Sequence, residues 1–124
     1  MTRKIYYADG GTKNNGRFGQ QESFICAADE EGNILFLEDI GDKTNNEAEL
    51  IAILRLLEST EGEIEILCDS QLAVHLVRGE WKTHLLRLKL ILNQIKKLNR
   101  QFEIKWISRN DNLAGIVLEE RKRV

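Results

Sequence analysis

Thr44–Asp69 reads TNNEAELIAILRLLESTEGEIEILCD, a helix pattern running directly into a strand pattern. Thr44 with Glu47 three residues on is a capping box, in which hydroxyl and carboxylate each satisfy a backbone N–H that the helix start would leave bare. From Asn45 to about Glu58, Ala52, Ile53, Leu56 and Leu57 fall on one arc at about 3.6 residues per turn, so one helix face is apolar. Ile64, Ile66 and Cys68 then alternate with Glu63 and Glu65, the period of a half-buried strand that ends at Asp69. A helix that hands the chain to a strand in this way is the crossover by which parallel strands are joined.

Upstream, Lys4–Asp9 is β-rich and stops before Gly10-Gly11, while Phe24–Ala28 and Ile34–Ile40 flank the turn cluster Asp29-Glu30-Glu31-Gly32-Asn33, a hairpin signal. Downstream, Ser70 caps a short predicted helix reaching Gly79. Between Thr83 and Asn99, Leu85, Leu86, Leu88, Ile91, Leu92, Ile95 and Leu98 recur at helical spacing. Phe102–Ile107 reads as a last strand and Asn112 to about Lys122 as a last helix. The order βββαβααβα implies an α/β fold with a mixed sheet, a hairpin first and crossovers after it.

The 124 residues suit one ordinary domain, and without proline, repeats or a linker the chain reads as a single domain over 1–124. The opening MTRKIYYADGG has no apolar stretch of signal-peptide length, and no segment approaches a membrane span. The expectation is a soluble, cytoplasmic monomer with no membrane partner. Cys26 and Cys68 sit apart in apolar strand contexts, as buried reduced thiols would. A net charge of −2 gives no overall pull on a polyanion, so nucleic acid would be met only by a local basic patch or by bound cations.

Three acids stand where core residues are expected. Glu49 falls in the middle of the apolar arc, whereas Glu47 and Glu58 lie opposite it with Arg55. A buried carboxylate must neutralise, pair or bind a metal; the plainer reading is an acid tolerated near a helix start by the dipole. Asp9 and Asp69 each end a predicted strand, and the carboxyl edge of such strands is where ligands bind in α/β sheets. An oxygen-only set of this kind suits a hard cation such as Mg²⁺. The chemistry that follows is phosphodiester hydrolysis with two ions roughly 3.5–4 Å apart, without a His or Cys nucleophile.

With these segments placed, the chain resembles type 1 ribonuclease H over nearly its whole length. The pieces are Tyr7-Ala8-Asp9-Gly10-Gly11 with Asn14-Asn15-Gly16, then Thr44-Asn45-Asn46-Glu47-Ala48-Glu49-Leu50, Cys68-Asp69-Ser70-Gln71 and Trp106-Ile107-Ser108-Arg109. The resemblance implies a ribonuclease H-like fold, a five-stranded mixed sheet whose first three strands are antiparallel, flanked by helices. It implies Mg²⁺ or Mn²⁺ dependence and cleavage of RNA paired with DNA, with an RNA–DNA hybrid as partner. Asp9, Glu49 and Asp69 match the metal-binding carboxylates, and Gly10 belongs to the same metal set. Asn14, Asn15, Asn45 and Gln71 resemble the groups that read the RNA strand, where the 2′-hydroxyl tells RNA from DNA. Thr44, Asn46 and the pair Trp81-Lys82 match positions beside the DNA strand, although Thr44 also serves as a cap and a tryptophan also plugs cores.

The pattern departs from the family in the run Asn110-Asp111-Asn112-Leu113-Ala114-Gly115, where relatives carry a fourth acid in an ADxLA-like context. Asn112 takes that position and is expected as a fourth ligand without charge; a one-residue slip would substitute Asp111. His75 and His84 fall in predicted helices rather than in the loop where many relatives place a histidine, and Arg109 occupies about that loop, able to grip a phosphate. Lys89, Lys96, Lys97 and Arg100 read as a solvated helix face, so hybrid affinity is expected to be modest and salt-sensitive.

Overall fold

A computed structural model describes residues 3–14 and 21–122. Strands β1 (Lys4–Asn14), β2 (Gln21–Asp29) and β3 (Ile34–Gly41) form an antiparallel meander. Helix α1 (Asn45–Ser59) crosses to β4 (Ile64–Cys68), which pairs parallel to β1. Helices α2 (Gln71–Val77) and α3 (Leu86–Lys97) lead to β5 (Phe102–Trp106), parallel to β4, and a 3-10 turn at Arg109–Asp111 precedes α4 (Leu113–Lys122). The sheet order is β3-β2-β1-β4-β5, so the expected five-stranded mixed sheet with its first three strands antiparallel is what the chain forms.

Its two faces are covered by different helices. Along β2, Ile25 and Ala27 pack into one core with Leu50, Ile53, Leu56 and Leu57 of α1 and Leu88, Ile91 and Ile95 of α3. The alternate residues Phe24 and Cys26 meet Ala114 and Leu118 of α4 on the other side. That is the strand period of two at work: one register serves both layers.

Three sequence expectations need correction. The first strand does not stop at Asp9 but continues through both glycines, with Gly10 opposite Ile25 and Gly11 opposite Phe24. Glycine is needed there for room, because a Cβ on Gly10 would lie 2.2 Å from the carbonyl carbon and oxygen of Ala48 in α1. Helix α3 starts at Leu86 rather than near Thr83, since the Thr83 hydroxyl accepts the Leu85 N–H at 3.2 Å in a local turn. His84 therefore lies in the connection before α3, and Leu85 and Leu86 are exposed rather than part of the core. Arg100 is no part of a solvated face: its guanidinium donates to the carbonyls of Leu57, Thr60 and Gly62, closing the C-terminal end of α1.

The start of α1 forms as read. The Thr44 hydroxyl accepts from the Glu47 N–H at 3.2 Å and the Glu47 carboxylate accepts from the Thr44 N–H at 3.0 Å. Among the described residues, no helix is long and apolar enough to cross a membrane.

Candidate active site

Parallel pairing between β1 and β4 ends at Ala8 opposite Cys68. The next residue on each strand is an aspartate. Asp9 thus stands within β1 but just past the parallel ladder, and Asp69 follows the last residue of β4. Glu49 comes to the same place from the first turns of α1, brought there by the close approach at Gly10. Oxygens of Asp9, Glu49 and Asp69 lie within 4.8 Å of one another, so the structure assembles the three acids singled out in the sequence.

The cluster is electrostatically loaded. Burial pushes the Glu49 carboxyl well above the usual carboxylate range, and the adjacent Asp9 charge pushes it further. The Gly10 N–H, donating to Glu49 Oε1 at 2.9 Å, pulls the other way. Gly10, counted with the metal set, thus acts here through its N–H on a carboxylate oxygen. Nearby thiols feel the same field: burial and Asp9 raise Cys26 to about 12, and burial followed by the Glu49 charge raises Cys68. Both cysteines are free and buried, and protonated thiols of this kind are neither ligands nor nucleophiles. An all-oxygen, partly buried set of acids fits a hard divalent cation, which would cancel the repulsion that now favours protonation.

Asn112, not Asp111, is the residue at the cluster. Asp111 is exposed in the 3-10 turn, whereas Asn112 is completely buried. Its NH₂ donates to the Ala8 carbonyl at 3.1 Å and to Asp69 Oδ2 at 3.2 Å. Its oxygen accepts the N–H groups of Ala114 at 3.1 Å and Gly115 at 3.4 Å, capping α4. Because those backbone groups demand an acceptor and the Ala8 carbonyl demands a donor, the network fixes which way the amide points. The side chain expected to offer an oxygen as a fourth ligand therefore turns its other end to Asp69.

Two contributors carry no assigned role in the sequence, although Trp106 opens the Trp106-Ile107-Ser108-Arg109 run. Trp106 Nε1 donates to the Asp69 carbonyl at 3.0 Å, holding the strand end that carries the acid. Gly115 lies inside a helix pattern, where glycine normally only weakens the helix, yet a Cβ there would sit 3.2 Å from Asp9 Oδ2 and 3.5 Å from Asp69 Oδ2. Only the unexplained glycine in a helical run pointed to the second.

The substrate candidates occupy varied settings. Thr44 caps α1, and the Asn45 side-chain oxygen accepts the Thr12 N–H at 2.9 Å, tying the helix start to β1. Asn46 is exposed, Gln71 opens α2 and is exposed, Asn14 ends β1, and Asn15 lies outside the described residues. Trp81 does not plug the core: it is 45% exposed and stacks on His75 with ring centroids 4.2 Å apart. With Lys82, His84, Lys89 and Lys96 it lines an open groove of about 370 Å³, so two lysines read as merely solvated join the tryptophan in a basic patch. Arg109 is exposed and pairs with Glu119 at 3.1 Å. These two and Gly115 line a second open cavity of about 310 Å³.

Fold and cluster together define a class, a five-stranded mixed-sheet protein with a carboxylate cluster that could hold a metal ion. The family model for RNase H matches residues 1–114, and the chain belongs to the RNase H family. Solved structures agree. The chain is 30% identical to LC11-RNase H1, from a compost metagenome and solved in complex with an RNA/DNA hybrid, over 89% of this chain and 88% of that one, with a TM-score of 0.70. It is 25% identical to the N-terminal RNase H domain of a Mycobacterium tuberculosis protein, covering 94% and 95% of the two chains at a TM-score of 0.74. For RNase H1 of Halobacterium salinarum the figures are 26% identity, 96% and 99% coverage and a TM-score of 0.72. No curated protein matches. The match to RNase H1 structures is consistent with a type 1 RNase H.

Proposed function

We propose that this chain is an endonuclease that hydrolyses the RNA strand of RNA–DNA hybrids, using Mg²⁺ or Mn²⁺ held by Asp9, Glu49 and Asp69. The observation that carries the reading is the convergence of those three acids within 4.8 Å at the end of the parallel ladder. A bound pair of divalent cations would supply activation of water and stabilisation of the leaving oxygen in an in-line displacement. The chain's own part is to hold the carboxylates in place: Gly10 holds Glu49 through its N–H, and Trp106 holds the Asp69 backbone.

Substrate selection is proposed to rest on the neighbouring polar and basic groups. Asn14, Asn15, Asn45 and Gln71 are assigned to the RNA strand, where amide groups can pair with 2′-hydroxyls. Thr44, Asn46, Trp81 and Lys82 are assigned to the DNA strand, with the groove along Lys89 and Lys96 meeting its phosphates. Arg109, which must exchange Glu119 for a phosphate, is assigned to the scissile side.

A second reading, a protein that binds hybrids without cutting them, draws support from Asn112, which adds no charge to the cluster. A substrate panel separates the two. With Mg²⁺ or Mn²⁺ the chain should cut an RNA–DNA hybrid and leave RNA–RNA, DNA–DNA and single-stranded RNA intact. Tight binding of the hybrid with no product in either metal would establish the second reading.

A further inference from the structure

Asn112 is a wholly buried polar side chain with both ends of its amide engaged. The oxygen takes two N–H groups of α4 and the NH₂ gives one bond to the Ala8 carbonyl and one to Asp69. An aspartate of the same shape could keep the cap but has no donor to give. Its second oxygen would face the Ala8 carbonyl and the Asp69 carboxylate at the 3.1 and 3.2 Å now spanned by hydrogen bonds. The pocket is thus shaped for an amide rather than for an acid.

The same turn of α4 is pressed against the cluster. Gly115, whose N–H bonds the Asn112 oxygen, is the residue where a Cβ would meet Asp9 Oδ2 and Asp69 Oδ2. Swinging the Asn112 oxygen towards a cation would strip acceptors from Ala114 and Gly115 and a donor from Ala8, in a place water does not reach.

We propose that Asn112 is a positioning residue: its NH₂ orients the Asp69 carboxylate beside Asp9, while its oxygen stays on α4 and outside the ion's coordination. Asp69 is then pre-oriented before any cation arrives, and the ligand set consists of the three acids. The inference rests on the proposed reading of those acids as a cation site, and it changes the part played by the fourth position.

The test is a Mg²⁺ titration of isotope-labelled wild-type protein followed by amide NMR, with Asn112→Ser titrated beside it. Mg²⁺ should shift the backbone amides of Asp9, Gly10 and Asp69, while the Asn112 NH₂ protons stay slow to exchange and the Ala114 and Gly115 amides keep their hydrogen-bonded positions. Serine retains a capping oxygen but cannot reproduce the NH₂ bridge, so Mg²⁺ affinity should fall about tenfold, as for other supports of metal-binding carboxylates. If Mg²⁺ instead frees the NH₂ protons and disturbs Ala114 and Gly115, the oxygen has moved onto the ion and the proposal is overturned. A serine variant with wild-type affinity overturns it too, leaving Asn112 only a cap. Should that variant not fold, the wild-type titration still decides. A wild type that takes up no Mg²⁺ overturns the cation reading itself, a result distinct from either.

Discussion

Glu49 is a carboxyl whose folded state prefers the proton. Burial and the Asp9 charge hold its pKa above the unfolded value, so between the two values the folded chain binds more protons than the unfolded one. Stability without metal must then fall as pH rises through that window, by up to about 1.4 kcal/mol per pH unit for one proton. Thermal melts in EDTA across a pH series should show this decline for wild type and a flatter profile for Glu49→Gln. Mg²⁺ competes with the same proton, so its stabilising effect should grow with pH. Gly10 is the second decisive residue. Gly10→Ala drives a methyl into α1 backbone 2.2 Å away and should cost about 3 kcal/mol in urea unfolding, at the upper end of overpacking effects. At this scale the sequence was readable wherever a residue broke a pattern. Glu49 interrupts an apolar arc and Asp69 ends a strand, while Asn112 showed only as a departure from an expected acid. Its hydrogen bonds were hidden because the partners Ala8 and Asp69 are 104 and 43 residues away.

Local chemistry set the start of α1 and, through the Thr83 turn, the late start of α3; long-range contact decided the reach of β1 and the far end of α1. The capping box of α1 lies within four consecutive residues and formed as expected. The extension of β1 through Gly10-Gly11 could not be read locally, because a glycine pair looks the same whether it makes a turn or admits a crossing helix. The far end of α1 shows the same principle. Its last carbonyls are met by Arg100, which is 43 residues from Leu57 in sequence and reads locally as part of a solvated helix face. Removing a charged donor from several carbonyls typically loses about 2 kcal/mol. Arg100→Ala should show that loss in chemical denaturation, and Arg100→Lys should recover little of it, since one ammonium lacks the fork that spans Leu57, Thr60 and Gly62.

For the whole molecule, the sheet order places the acids of β1 and β4 side by side, and α1 and α4 approach them from opposite faces. The chain carries a net charge of −2, so the proposed function has a polyanionic substrate met by cations at the cluster and by the groove that Lys82, Lys89 and Lys96 line. Replacing Lys89 and Lys96 together by alanine should weaken hybrid binding and flatten its dependence on log salt, by about one unit of slope for each phosphate no longer neutralised. The proposed function puts a divalent cation on Asp9, Glu49 and Asp69, whose oxygens already lie within 4.8 Å of one another, and one measurement bears on that most directly. An end-labelled RNA–DNA hybrid is incubated with wild type and with Asp69→Asn, each in EDTA, Mg²⁺ and Mn²⁺. Cutting of the RNA strand by wild type only when a metal is present, and at least about a hundredfold less by Asp69→Asn, is the predicted result. Equal cutting in EDTA, or undiminished cutting by Asp69→Asn, would contradict it.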